Sequence, residues 1–149
     1  MSETTLVAPV VKSVTVDCPV ERAFTVFTRE IGSWWPTESH SLHPGEVERV
    51  VWEEIDGGAV YELATNGERA QWATVLRWEP PHRLVIAWQV NPDRLGTEVE
   101  VRFTDEGGRT RVDLEHRGWE NLEADGAEMR ASYDTGWDHV LGRFVEGTA

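Results

Sequence analysis

The chain has 149 residues, a length that fits one domain, and 40% apolar content with eight tryptophans excludes intrinsic disorder despite a formal net charge of −13. Its 27 carboxylates against 14 Lys and Arg, with no basic cluster, exclude a nucleic-acid partner. A single cysteine, Cys18, excludes an internal disulfide and a thiolate-based metal site, and no apolar run approaches the roughly eighteen residues that insertion into a membrane would need.

The N-terminal stretch MSETTLVAPVVKSV lacks a basic segment followed by a continuous apolar run, so no export signal is expected, and a reducing cytoplasm suits a chain with one thiol. No repeat, low-complexity tract or Ser/Gly linker interrupts the sequence, and residues 1–149 are read as one domain. Val7 to Val16 is rich in β-branched residues, with Val10, Lys12, Val14 and Val16 alternating against Val11, Ser13 and Thr15, which predicts a first strand. Asp17, Cys18 and Pro19 break it. Asp17 or Cys18 then serves as the expected cap of a short helix to about Thr28, whose apolar face is Val20, Ala23, Phe24 and Phe27. A second short helix or turn is expected over Glu30 to Pro36, followed by a polar loop from Thr37 to Gly45.

From there the pattern becomes β-rich runs separated by turn residues: Glu46 to Glu53, Ala59 to Ala64, Gln71 to Trp78, Arg83 to Val90, Thr97 to Phe103 and Thr110 to His116. The separators are Asp56-Gly57-Gly58, Asn66-Gly67, Pro80-Pro81, Asn91-Pro92 with Gly96, and Glu106-Gly107-Gly108. Links this short require antiparallel neighbours, since parallel pairs need long crossovers. Val99, Val101 and Phe103 oppose Glu98, Glu100 and Arg102, and Val112, Leu114 and His116 oppose Arg111, Asp113 and Glu115, so the sheet has one apolar and one wet face. The closing stretch GAEMRASYDTGWDHVLGRFVEG places Met129, Tyr133, Trp137, Val140, Leu141 and Phe144 on one side of a long helix, with Gly147 as its stop. Asp134 and Asp138 form a like-charged i, i+4 pair on its other side, with Arg130 positioned to compensate. A twisted seven-stranded antiparallel sheet with one apolar face is therefore expected to curl around the C-terminal helix, an α+β arrangement.

Element order and local motifs resemble the helix-grip fold of the START and birch-pollen-allergen (SRPBCC) superfamily, in its bacterial branch similar to heat-shock protein 90 ATPase activator homologues. The matching pieces are PVERAFTVFT, IGSWWP, GGAVYE, QWATVLRWEPPHRLVIAW, TEVEVRF, GGRTRVDLEHRGW and YDTGWDHVLGRF, which run in order from Val14 to Phe144. The resemblance implies a cavity between sheet and long helix. It implies no single chemistry, because members of the superfamily hold apolar small molecules, act as cyclases or hydrolases, or stimulate a chaperone.

Within that fold, Trp35, Trp72, Trp88, His116, Trp119, Tyr133, Trp137 and Leu141 are the candidate ligand contacts: aromatic rings give stiff apolar walls, and indole N–H, phenol and imidazole groups can orient a polar atom. Each is equally readable as core packing. Trp137 and Tyr133 lie on the helix expected over the cavity, and Trp119 follows the last strand, where a mouth would lie. His116, in phase with Val112 and Leu114, should face inward, either as a hydrogen-bonded core histidine or as a ligand-orienting or acid–base group. His40 and His43, beside Glu38 and Glu46, sit in a loop too loosely framed for a metal, and neither a Gly-rich phosphate loop nor a G-x-S-x-G elbow is present, so no metal or cofactor is expected. Cys18 reads as a buried or capping thiol.

The leading reading is a cytoplasmic protein that binds an apolar or aromatic, uncharged small molecule. The first alternative is a co-chaperone or protein-interaction module of the activator type; chaperone-activating members use a further domain for partner contact that this chain is too short to hold. The second is a cyclase or hydrolase using His116 as a general base. Open sheet edges would allow a homodimer.

Overall fold

In a computed structural model that describes residues 7–90 and 96–148, the chain forms strands β1 (Val10–Val16), β2 (Val47–Trp52), β3 (Ala59–Ala64), β4 (Arg69–Glu79), β5 (Arg83–Trp88), β6 (Thr97–Asp105) and β7 (Thr110–Arg117). Helix α1 (Val20–Phe27) follows β1, and helix α2 (Gly126–Gly147) closes the chain. The strands form a single antiparallel sheet in the order β1-β7-β6-β5-β4-β3-β2. It curls into a half-barrel around α2. Strands β2 to β7 are a meander, as their short links dictate, and β1 pairs with β7 from Val10 opposite His116 to Val16 opposite Thr110. Three register shifts fall in the β2–β5 half, between Val47 and Arg49, Val60 and Tyr61, and Val75 and Arg77, and such bulges bend strands.

Strand ends differ from the sequence expectation by no more than three residues. The Asn91-Pro92 turn lies outside the described residues. Of the two short helices expected between β1 and β2, the first is α1 and the second is one turn of 3-10 helix at Ile31–Ser33. The helix cap is corrected: Pro19 occupies the N-cap with no side-chain bond, while Asp17 pairs with Arg109 and the buried Cys18 offers its carbonyl to Thr110 Oγ1 at 2.8 Å. A 3-10 segment at Trp119–Asp125, with Glu123 at φ 54°, links β7 to α2 and has no counterpart in the periodicity. Gly126 then starts α2 hard against the Trp119 carbonyl, a contact that leaves no room for a Cβ.

One expectation for α2 changes and another is extended. Gly147 is its last helical residue and not a left-handed stop; a Cβ there would come within 3.0 Å of Trp34 Cβ, so glycine permits close approach. Arg130 donates to the carbonyls of Ala8 and Pro9 while its charge still favours ionised Asp134, and Lys12 Nζ adds a bridge to Asp134 and Asp138 at 2.7 and 3.0 Å. The like-charged pair thus clamps α2 to β1.

The outer face of the sheet is charged, as the alternation requires. Glu100 lies there yet is buried beneath Arg83, Arg102 and Arg117. Burial alone would raise its pKa; hydrogen bonds from the three guanidinium groups outweigh that and hold it at about 2. Among the described residues, no helix is long and apolar enough to cross a membrane.

The space between sheet and α2 divides in two. At one end α1 inserts Phe24 and Phe27, and these rings pack with Trp34, Trp78, Phe103 and Phe144; Phe27 lies 5.1 Å from Phe144 and 5.7 Å from Phe103. That end is filled. At the other end, under the first half of α2, no helix inserts. Truncating Phe144, fully buried on the filled side, to alanine is expected to lower stability by about 3–5 kcal/mol in denaturant titrations; a loss below 1 kcal/mol would contradict this packing.

Candidate functional site

The unfilled end holds a half-open cavity of about 310 Å³. Trp72 of β4, Trp88 of β5 and the following Val90 form its floor, while Met129, Ser132, Tyr133, Gly136, Trp137 and Val140 of α2 form its roof. Trp35 and residues Ser39 to Leu42 close one side. Ring centroids of Trp35 lie 4.9, 6.2 and 5.9 Å from those of Trp72, Trp88 and Trp137, so four indoles form a continuous aromatic wall.

Each of these four indole N–H groups is already bonded to the protein. Trp35 donates to the His40 carbonyl at 2.7 Å, Trp72 to Glu62 Oε1 at 2.7 Å, Trp88 to Tyr133 Oη at 2.9 Å and Trp137 to His116 Nδ1 at 3.0 Å. A buried N–H needs a partner, and here the protein supplies it, so the rings present their carbon surfaces to the cavity. The expectation that indole N–H groups would orient a ligand is thereby corrected.

His116, Trp119 and Leu141 do not line the cavity, whereas Trp35, Trp72, Trp88, Tyr133 and Trp137 do. His116 faces inward, as its phase in β7 predicted, but sits fully buried behind the wall. Since Nδ1 accepts from Trp137, the ring proton resides on Nε2 and is donated to Thr97 Oγ1 at 2.7 Å. Burial lowers the imidazole pKa to about 3, so it stays neutral. With both nitrogens engaged it holds Trp137 in place and has no lone pair for a general base. Trp119, expected at the mouth, is fully buried, stacked 4.2 Å from His116 and donating to its carbonyl. Leu141 packs in the core, 2% exposed.

Sequence reasoning missed Glu62. The signal was present: in β3, Glu62 is in phase with the buried Val60 and Ala64, a carboxylate where the sheet's inner face is apolar. It is fully buried and accepts from Trp72 Nε1, from the Leu42 N–H at 2.6 Å and from His43 Nδ1 at 2.7 Å. His43 Nε2 reaches Glu68 at 3.0 Å. One buried carboxylate thus ties the Thr37–Gly45 loop to the cavity floor. The loop's other flank meets α2 through Glu38 and Arg143 at 3.0 Å and through the rings of His40 and His139, 5.2 Å apart. The polar loop of the sequence reading is therefore a side wall, with Leu42 as a half-exposed apolar lip.

Among the described residues, no Lys, Arg, Asp or Glu lines the cavity. Its polar groups are hydroxyls and the rim imidazole of His40. Ser39 Oγ bonds His40 Nδ1 and Ser41 Oγ donates to the Thr37 carbonyl. Burial raises the pKa of Tyr133, which keeps its phenolic proton at neutral pH.

With this geometry in view, residues 17–147 match the sequence profile of the family described as Activator of Hsp90 ATPase homolog 1-like protein. The chain belongs to that family. Solved structures agree: the anthrahydroquino-gamma-pyrone synthase Txn09, solved as a complex, is 32% identical, with a TM-score of 0.64 over 95% of this chain and 97% of that one. The self-sacrificing resistance protein CalC from Micromonospora echinospora is 28% identical, with a TM-score of 0.67 over 93% and 92% of the two chains. CalU16, from the same organism, shares the fold at 23% identity and a TM-score of 0.66, over 95% of this chain and 76% of that one. No curated protein matches the chain. The activator-like family thus supplies the fold, the SRPBCC helix-grip, and the chain's own residues define the cavity.

Hydrogen bonds to Glu62 first, then Glu68, raise the His43 pKa. A pKa raised on folding adds stability that is fully present below the unfolded value of about 6.5 and is lost as pH rises through the folded value. The melting-temperature difference between wild type and His43→Gln should therefore be largest at mildly acid pH and shrink above the raised pKa. A difference that is flat or grows with pH would contradict the charged latch.

Proposed function

We propose that this protein binds an apolar aromatic small molecule between its sheet and α2. The observation that carries the reading is the cavity wall itself: four indoles whose polar edges are bonded to protein, leaving carbon faces around an unfilled space. Such a surface recognises flat rings by offset or edge contact, and burial contributes roughly 25 cal/mol per Å² of apolar area. The charge-free lining favours an uncharged ligand, and the net charge of −13 opposes anions.

A second reading, catalysis on an aromatic substrate in the same cavity, is favoured by the 32% identity to a synthase. In that case the reacting groups are Tyr133 as a proton donor and His40 at the rim, and His116 is a positioning residue for Trp137.

Gly136 provides a test that separates binding from stability. It lines the roof of the cavity, and a Cβ there would meet only the His40 ring, at 3.9 Å. Gly136→Leu should fill the cavity and also strengthen α2 by up to about 1 kcal/mol. Titration of intrinsic tryptophan fluorescence with a panel of uncharged aromatics is expected to give saturable quenching in wild type, a matching thermal shift, and at least tenfold weaker binding in the folded Gly136→Leu variant. Absence of any response across the panel, or unchanged affinity in the variant, would overturn the reading.

A further inference from the structure

Tyr133 Oη accepts the Trp88 indole N–H at 2.9 Å, and among the described residues no protein atom receives its own proton. The ring lines the cavity and is mostly buried, and burial keeps the hydroxyl protonated. A buried donor without an acceptor is unfavourable, so the hydroxyl is completed by whatever enters the cavity. The four wall indoles are occupied, Ser39 and Ser41 bond within their own loop, and Ser132 lies exposed on α2. Tyr133 therefore supplies a directed donor among the indole walls, apart from the rim imidazole of His40. Its hydroxyl lies at the N–H edge of Trp88, whose ring centroid is 6.3 Å from that of Tyr133 at an interplanar angle of 86°.

We propose that the occupant is an uncharged, planar aromatic molecule bearing a carbonyl acceptor, which Tyr133 Oη–H engages while the rings lie against Trp35, Trp72 and Trp88. A pure hydrocarbon would leave the donor unpaired. A molecule rich in donors would find no free acceptor on the indole walls. This inference rests on the aromatic-binding reading and adds the polar handle to it.

Fluorenone and fluorene, planar three-ring molecules that differ by one carbonyl, test it by calorimetric or fluorescence titration of wild type and Tyr133→Phe. One neutral hydrogen bond corresponds to about three- to tenfold in affinity, so wild type should prefer fluorenone by that factor. Because Tyr133→Phe also frees the Trp88 N–H, the variant is made on a Trp88→Phe background. There Tyr133 should keep the preference and Tyr133→Phe should lose it while keeping the affinity for fluorene, which also reports that the variant is folded. In wild type, the carbonyl stretch of bound fluorenone should fall below its frequency in hydrocarbon solvent, a readout independent of the variant. Equal affinities in wild type, a preference that survives Tyr133→Phe on the Trp88→Phe background, or an unshifted stretch would overturn the carbonyl assignment and leave the aromatic cavity standing. Binding of neither molecule would overturn both.

Discussion

The direction in which four indole N–H groups point decides the character of this protein. Had Trp35, Trp72, Trp88 and Trp137 turned their polar edges inward, the cavity would be lined with donors and would hold water or a polar ligand. Instead each edge is met by an acceptor the protein supplies: a loop carbonyl, a buried carboxylate, the oxygen of the cavity-lining Tyr133 phenol and a neutral imidazole. Those acceptors are held in turn. His116 Nδ1 can receive the Trp137 proton because Thr97 takes the proton on Nε2, and Glu62 can receive Trp72 because Leu42 and His43 share its charge. Removing either acceptor would leave a buried N–H unpaired, at a cost of about 1–3 kcal/mol, and would free a ring to rotate.

Why the core is hollow at one end follows from the chain's order. Helix α1 sits between β1 and β2, strands at opposite edges of the sheet, and delivers Phe24 and Phe27 to the far end of the groove. Helix α2 spans both ends. Its Phe144 packs into the filled end while Tyr133 and Trp137 roof the open one. Lys12, bridging Asp134 and Asp138, and Arg130, bonded to the carbonyls before β1, hold the roof on one side, and the latched loop holds it on the other. The helix is thereby fastened at both flanks above the open end.

Most of the fold was legible because period-two alternation and short turns leave few topologies: Val99, Val101 and Phe103 against Glu98, Glu100 and Arg102 already orient β6, and Tyr133 and Trp137 at helical spacing already face the sheet. The site was legible in its residue types and not in its polarity. Sequence lists which tryptophans share a face but says nothing of χ angles, so it could not reveal that the indole N–H groups are taken up by protein acceptors. The Trp119–Asp125 segment was opaque because its kink at Glu123 has no periodic signature. Glu62 was readable in principle, as a carboxylate in phase with Val60 and Ala64, but its meaning depends on a loop twenty residues earlier that supplies Leu42 and His43. Lys12 joins Arg130 at Asp134 because β1 lies beside α2, a tertiary fact that i, i+4 spacing cannot carry.

Nitrogen-15 NMR of the indole groups tests the central claim most directly, by following hydrogen exchange of the tryptophan side-chain N–H signals with and without a bound aromatic molecule such as fluorenone. The account requires slow exchange of the Trp35, Trp72, Trp88 and Trp137 signals in the free protein, and ring-current shifts of these four on binding while Trp52, at the filled end, stays put. Fast exchange of the four signals in the free protein, or shifts confined to tryptophans away from the cavity, would show that the indole edges face the cavity or that the aromatic wall is not where ligands bind.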